Sequence, residues 1–358
     1  MEWSVLEKIK VIVVDDSALM RKIISDIINM QPDMEVICTA RNGEDLIKKL
    51  ETEKPDVITL DIEMPKMNGM ETLHEMKLKK YKIPTIMLSS VSKEGTKLTM
   101  ECLHNGAFDF IAKPSGAISL DIEKVGDELV SKIRVAKNKN NFKVKTNIDE
   151  SALSKTKIRR MPSKVGTSNI EAVVIGASTG GPKALYKVIT ELPEKLDVPV
   201  FVVQHMPVGF TKAFADRLDA NSKIKVVEAS EGDVIKKNVV YVAKGGAHME
   251  ISKDKKIHLS EEPPIWGVRP AVDKLFISAA KVYGSHILSV VLTGMGRDGA
   301  EGTRVIKDLG GITISEDKDT CTIYGMPKAA FETGKVDYVL PIYEISEAIA
   351  KNTIGSGR

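Results

Sequence analysis

From residue 10 onward, short apolar runs alternate with longer stretches in which apolar positions recur every three to four residues. Runs of four to six apolar residues have the length of buried strands, whereas the three-to-four period marks one face of a helix. This pattern predicts strands at 10–14, 36–39, 57–60, 85–88 and 108–112, with helices at 44–50, 70–77 and 93–105 among them. Another helix is expected to open at Ala18, with the Ser17 hydroxyl as its N-cap. Five strands separated by helices predict a parallel sheet with helices on both faces. In such an α/β layer, residues that handle ligands gather at the carboxyl ends of the strands.

A helix is expected at 122–136, after which the pattern breaks. Residues 137–164 are rich in Asn, Lys and Ser and hold few large apolar side chains, the composition of a tether. A second α/β pattern then begins. Strands are expected at 172–175, 198–203, 287–292 and 312–315, and helices at 182–190, 210–218, 272–282 and 300–309. A β-rich stretch at 234–243, 248–251 and 256–259 reads as a hairpin inserted into this doubly wound domain. The organisation is therefore one domain at 9–135, a linker at 136–169 and a second domain at 170–355. The two α/β blocks share no sequence repeat, so duplication is not supported.

Length and composition agree with this plan. The chain has 358 residues, 42% hydrophobic and 28% charged, enough for two packed cores. Its formal net charge is only +3, which argues against a nucleic-acid partner for the chain as a whole. No apolar run has the length that crosses a bilayer, so no membrane insertion is expected. The opening Met1-Glu2-Trp3-Ser4 lacks the basic and apolar regions of a secretory signal. Cys38, Cys102 and Cys321 are widely spaced, forming neither a disulfide framework nor a CxxC site. Three reduced thiols and a cytoplasmic location follow as expectations.

In the first domain, Asp15 and Asp16 follow the first strand and Asp61 follows the third. Parallel strands bring those ends to one edge, where converging carboxylates repel. A hard divalent cation such as Mg²⁺ relieves that repulsion. Asp61 could also accept a phosphoryl group as a carboxylate nucleophile, with Lys113 after the fifth strand supplying positive charge. Ser89 ends the fourth strand, where its hydroxyl could meet a phosphoryl oxygen. The order Asp15-Asp16, Asp61, Ser89, Lys113 resembles a response-regulator receiver domain, a flavodoxin-like fold, over about 9–135. That resemblance implies phosphorylation of Asp61 by a histidine kinase, with Mg²⁺ held by Asp15, Asp16 and Asp61 and with Ser89 and Lys113 as switch residues.

In the second domain, Gly176-Ala177-Ser178-Thr179-Gly180-Gly181 lies between an apolar strand and a helix opening at Pro182. Such a turn can expose a nucleophilic hydroxyl or cradle a phosphate on free backbone N–H groups. The motif alone leaves both readings open, with Thr179 as a rival to Ser178. His205 follows another strand and could accept a serine proton. Asp298, within Thr293-Gly294-Met295-Gly296-Arg297-Asp298-Gly299, could orient an imidazole. The order Ser, His, Asp differs from that of α/β-hydrolases, but such a triad is defined by geometry.

Residues 171–181, 200–208 and 292–302 resemble the CheB-type protein-glutamate methylesterase domain, and a receiver placed before it matches the chemotaxis methylesterase arrangement. The resemblance implies Ser178 as nucleophile, His205 as general base and acid, and Asp298 as the carboxylate that orients it. The Met295 N–H and one N–H of the Ser178 turn are then candidates for the oxyanion hole. The implied reaction is hydrolysis of glutamyl methyl esters on methyl-accepting chemotaxis receptors, with deamidation of receptor glutamines and no cofactor in the ester chemistry. A chemotaxis histidine kinase would be the phosphodonor. The competing class is a noncatalytic signalling module that binds a partner or nucleotide, although the GxxxxGK[ST] pattern is absent. His248, His258 and His286 lack neighbouring ligands, so zinc is not expected. Residues 266–270 are candidates for shaping a substrate groove, with Arg269 facing either an acidic substrate segment or a structural partner.

Overall fold

Strands that are apolar on both sides need a helical layer on each face, and both halves of this chain meet that need in the same way. The structure, a computed structural model, describes residues 7–113, 120–142 and 170–354. The chain divides into two units, Met1–Ile148 and Asp149–Arg358.

The first unit alternates β1 (Ile9–Val14), α1 (Ala18–Asn29), β2 (Met34–Ala40), α2 (Gly43–Lys49), β3 (Val57–Asp61), α3 (Gly69–Leu78), β4 (Thr85–Ser89), α4 (Lys93–His104), β5 (Asp109–Ala112) and α5 (Leu120–Phe142). Its strands lie in the order β2-β1-β3-β4-β5, every pair parallel. Val11, Val13, Val57, Ile86 and Ile111 from the sheet pack with Ile24, Ile28, Leu129 and Ile133 from the helices into one core. Ser17 caps α1, its side chain accepting from the Met20 N–H. The register pairs Val14 with Leu60, Asp61 with Leu88 and Ser89 with Ala112, so residues 15, 61, 89 and 113 reach one edge.

The helix expected to stop at 136 continues to Phe142. Arg134, in the expected helix, pairs with Asp33 at 2.8 Å, and Lys137 forms an ion pair with Asp56, a contact to the domain that anchors the start of a segment whose composition reads as linker. The remainder of the expected linker, 143–169, lies outside the described residues.

The second unit runs β6 (Ala172–Ala177), α6 (Gly181–Thr190), β7 (Val200–Gln204), α7 (Phe210–Asn221), β8 (Lys225–Glu228), β9 (Val239–Val242), β10 (His248–Ile251), β11 (Ile257–Ser260), α8 (Val272–Tyr283), β12 (Ile287–Val291), α9 (Ala300–Asp308), β13 (Ile312–Glu316), α10 (Met326–Glu332), β14 (Tyr338–Leu340) and α11 (Ile342–Thr353). Seven of these strands form a sheet ordered β14-β13-β12-β6-β7-β9-β8, parallel throughout. The chain winds outward from β6 through β7 and then returns to place β12 on the other side of β6. The crevice at β6 is thus the topological switch point, where such sheets bind ligands. β10 and β11 pair antiparallel as the expected hairpin insertion.

The strand expected over 234–243 shortens to Val239–Val242. Asn238 adopts a left-handed backbone with φ of 61°, which ends regular extension just before the strand. β8, α10, β14 and α11 have no counterpart in the pattern reading. β8 and β14 are four- and three-residue edge strands, too short to establish a period. Among the described residues no helix is long and apolar enough to cross a membrane.

Candidate functional site

The edge at the ends of β1, β3, β4 and β5 carries a cluster of buried charge. Asp15 is fully buried and Asp61 nearly so. Lys113 Nζ sits 2.8 Å from Asp15 Oδ2 and 2.8 Å from Asp61 Oδ2, bridging the two. Burial, helped by the neighbouring Asp15 charge, pushes the Asp61 carboxyl up to about 6 against the opposing pull of Lys113. Burial opposes the charge on Lys113, but its bonds to both aspartates outweigh that and raise its pKa. One carboxylate oxygen from each of Asp15, Asp16 and Asp61 lies within 4.8 Å of the others, a spacing and donor set that fit a hard divalent cation. Ser89 shares this edge, but its hydroxyl turns to α4, 2.5 Å from Thr99 Oγ1 and 3.3 Å from the Gly95 carbonyl.

At the β6–β7–β12 edge, Ser178 is the first residue after β6 and His205 the first after β7. The register pairs Ala177 with Gln204, which sets Ser178 beside His205. The His205 N–H donates to the Ala177 carbonyl at 3.1 Å. His205 Nε2 lies 2.8 Å from Asp298 Oδ2, so all three segments meet. A carboxylate only accepts hydrogen bonds, so Nε2 carries the proton and Nδ1 is left as the acceptor. Ser178 is half-buried, and among the described residues its hydroxyl makes no hydrogen bond.

Asp298 is held from three sides. Oδ2 also accepts the Val272 N–H at 2.7 Å, and Oδ1 accepts the Asp273 N–H at 2.8 Å. Burial works against its charge, but the bond to His205 and those from the α8 amides hold the carboxyl below the usual carboxylate range. The negative charge also meets the positive end of α8.

Asp273 was not among the residues expected at this site. Its Oδ1 accepts the Gly299 N–H at 3.0 Å and the Gly302 N–H at 2.7 Å, tying the Asp298 loop and α9 to α8. Burial, followed by the Asp298 charge, pushes Asp273 up to about 6. Its pKa is raised on folding, so its contribution to stability is fully present below about 3.8 and is lost as pH rises through about 6. Asp273→Asn keeps the acceptor for Gly299 and Gly302 but cannot ionise. Urea midpoints are expected to favour this variant over the parent by ~1–2 kcal/mol more at pH 8 than at pH 5; no change with pH would refute the assignment.

Two further residues brace the edge. Gln204 Nε2 donates to the carbonyls of Ser178 and His205, both at 3.0 Å, locking the two turns together. Glu316, buried at the end of β13, accepts the Thr293 N–H at 2.7 Å and fixes the loop after β12. Their position at strand ends was a signal available in the sequence, although an isolated Gln or Glu carries no motif. In the same loop the Met295 N–H has no protein acceptor among the described residues, and its side chain is 40% exposed.

Close packing explains the glycine before Met295. A Cβ on Gly294 would lie 2.8 Å from Ser178 Cβ and 2.4 Å from Met326 Sδ. Gly294→Ala is therefore expected to displace the Ser178 turn and cost about 1–3 kcal/mol of stability by urea unfolding. A stability equal to that of the parent would show that the turn can absorb the methyl.

The candidates at the periphery resolve differently. His248 is buried, with Nδ1 accepting the Ala271 N–H at 3.1 Å and Nε2 3.2 Å from the Pro263 carbonyl, a structural role. Arg269 is tied to the carbonyls of Glu261 at 2.6 Å and Glu262 at 3.0 Å, so of its two expected uses the structure supports the structural one. Cys38, Cys102 and Cys321 are free thiols.

Comparisons with known proteins match both domains. The family described as CheB methylesterase matches residues 173–349, and the response regulator receiver domain family matches residues 11–122. A protein-glutamate methylesterase/protein-glutamine glutaminase of Clostridium acetobutylicum is 60% identical over 353 residues, covering 99% of this chain and 100% of that protein. A protein of the same name from Pyrococcus horikoshii is 47% identical, covering 96% of this chain and 93% of its own length. Among solved structures, the Thermotoga maritima CheB methylesterase catalytic domain is similar at 45% identity with a TM-score of 0.50, covering 51% of this chain and 98% of that one. With a receiver-type domain ahead of a methylesterase-type domain and likeness over nearly its whole length, the chain belongs to the CheB family of response-regulator methylesterases.

Proposed function

We propose that this chain is a cytoplasmic, phosphorylation-controlled hydrolase that demethylates glutamyl γ-methyl esters on chemotaxis receptors and deamidates receptor glutamines. The single observation that carries this reading is the 2.8 Å contact between His205 and a desolvated, triply bonded Asp298 beside the turn that carries the half-buried Ser178. It is supported by the names of the two relatives above.

The chemistry follows from the proton positions. With Nε2–H committed to Asp298, His205 Nδ1 takes the Ser178 proton once the hydroxyl turns toward the ring. Oγ then attacks the γ-carbonyl, forming a C–O bond as the carbonyl oxygen gains charge. The unpaired Met295 N–H would receive that oxyanion, with a second donor from the Ser178 turn. Collapse breaks the bond to methoxide, which takes the proton from His205 and leaves as methanol. Water, deprotonated by the same nitrogen, attacks the glutamyl-serine ester, and Ser178 Oγ leaves with the proton that His205 returns. A primary amide follows the same course and releases ammonia. The Asp298 charge stabilises the imidazolium formed in each half.

In the receiver, Asp15, Asp16 and Asp61 would hold Mg²⁺, which supplies charge neutralisation for the incoming phosphoryl group. Asp61 would attack the phosphorus of a phosphohistidine on the kinase as the P–N bond breaks and the imidazole leaves, forming an acyl phosphate whose charge Lys113 offsets. Ser89 would leave Thr99 to meet the new phosphoryl oxygens, altering the β4–α4 surface.

The decisive experiment is mass spectrometry of a methylated receptor peptide before and after incubation with the full chain. Loss of the ester methyl group is expected; an unchanged peptide mass would overturn the reading.

A further inference from the structure

Beside the Asp298 loop stands a basic side chain that nothing above accounts for. Arg297, exposed and immediately before Asp298, has its guanidinium 5.0 Å from the centre of the Trp266 ring. Among the described residues it forms no ion pair and no side-chain hydrogen bond, in contrast to Arg269, which two backbone carbonyls occupy. A guanidinium stacked on an indole keeps its N–H edges free for an anion.

The indole is held in place at a cost. Ile265 and Val268 exchange backbone hydrogen bonds of 3.1 and 3.0 Å around a two-residue turn, with φ of 53° at Trp266 and 79° at Gly267. Glycine tolerates that conformation, whereas a bulky aromatic residue there is strained. Trp266 nevertheless occupies the tip, 59% exposed, with Nε1 3.5 Å from Asp273 Oδ2. One strained aromatic residue thus fixes an unpaired cation on the loop that carries both Met295 and Asp298.

We propose that Arg297, supported by Trp266, determines substrate specificity by binding the carboxylate of an Asp or Glu that flanks the reacting γ-ester. This rests on the hydrolase reading above and adds the chemistry of the substrate segment. A flanking carboxylate accepts from the free guanidinium edges while the indole shields one face from water, so the contact acts mainly on binding.

The test uses two helical peptides, each with one glutamyl γ-methyl ester, flanked either by glutamates or by glutamines. Methanol release by the full chain gives kcat/KM for each at low ionic strength. The acidic peptide is expected to be favoured about fivefold, the upper range for a partly exposed ion pair, and less so at high salt. Arg297→Gln is expected to bring that ratio to about one by raising KM for the acidic peptide, and Arg297→Lys to restore part of it. A parent ratio near one, a ratio unchanged in Arg297→Gln, or an equal loss on both peptides would overturn the proposal. Release from neither peptide by the parent chain would instead bring down the hydrolase reading, and this proposal with it.

Discussion

Ser178→Ala is expected to abolish methanol release, lowering turnover by on the order of 10⁴-fold or more while the chain stays folded. The expectation follows from what the hydroxyl touches. Ser178 is anchored through its backbone, with its N–H donating to Thr293 at 3.0 Å and its carbonyl accepting from Gly181 at 2.7 Å and from Gln204 at 3.0 Å. Removing Oγ breaks none of these bonds, so folding and chemistry separate cleanly. Parent-like turnover from a folded variant would reject Ser178 as nucleophile.

Asp298→Asn probes the same machinery through charge. An amide can keep its oxygen toward His205 Nε2 and the Val272 N–H, but its NH₂ then faces the Asp273 N–H and one bond is lost. The imidazole stays oriented, yet the imidazolium loses its counter-charge. A fall of about 10³–10⁴-fold in kcat is expected, with little effect on KM. A variant that loses KM instead would indicate that Asp298 binds substrate.

Asp61→Asn is expected to eliminate phosphoryl uptake from a phosphorylated kinase domain, measured as transfer of labelled phosphate. An asparagine amide cannot serve as the nucleophile. It also loses the charge that pairs with Lys113 at 2.8 Å and that would help hold the metal. Chelation of divalent cations should produce the same loss in the parent, because the repulsion among Asp15, Asp16 and Asp61 then lacks the divalent charge that relieves it. The esterase rate of the variant should no longer respond to the phosphodonor. Labelled Asp61→Asn would mean that another residue is the acceptor. A parent esterase rate indifferent to phosphorylation would defeat the regulatory reading alone, leaving the hydrolase intact.

Several features of this protein could be read before any coordinates. Buried parallel strands announce themselves as apolar runs, which is why β1, β3, β4, β6 and β12 stood out and why Asp61, Ser178 and His205 could be placed at strand ends. The capping hydroxyl of Ser17 and the hairpin of β10 and β11 were legible because both depend on neighbours in the chain. Short edge strands such as β14 fell below any detectable period. The end of α5 was misplaced because Lys137 is secured by Asp56, a partner remote in sequence.

What only tertiary structure decided is the identity of the partners around each reactive group. The Ser178 motif by itself was compatible with a nucleophile or a phosphate cradle. It acquired a chemical direction when the parallel register of β6 and β7 set it beside His205, and when Asp298 reached that ring from residues far along the chain. Asp273 carried no local signal and Gln204 and Glu316 only a strand-end position, since their hydrogen bonds join segments that only the folded sheet brings together. Local periodicity encodes which residues are buried. Electrostatics and hydrogen bonding act over a few ångströms in space, so only the closed fold determines which charge faces which.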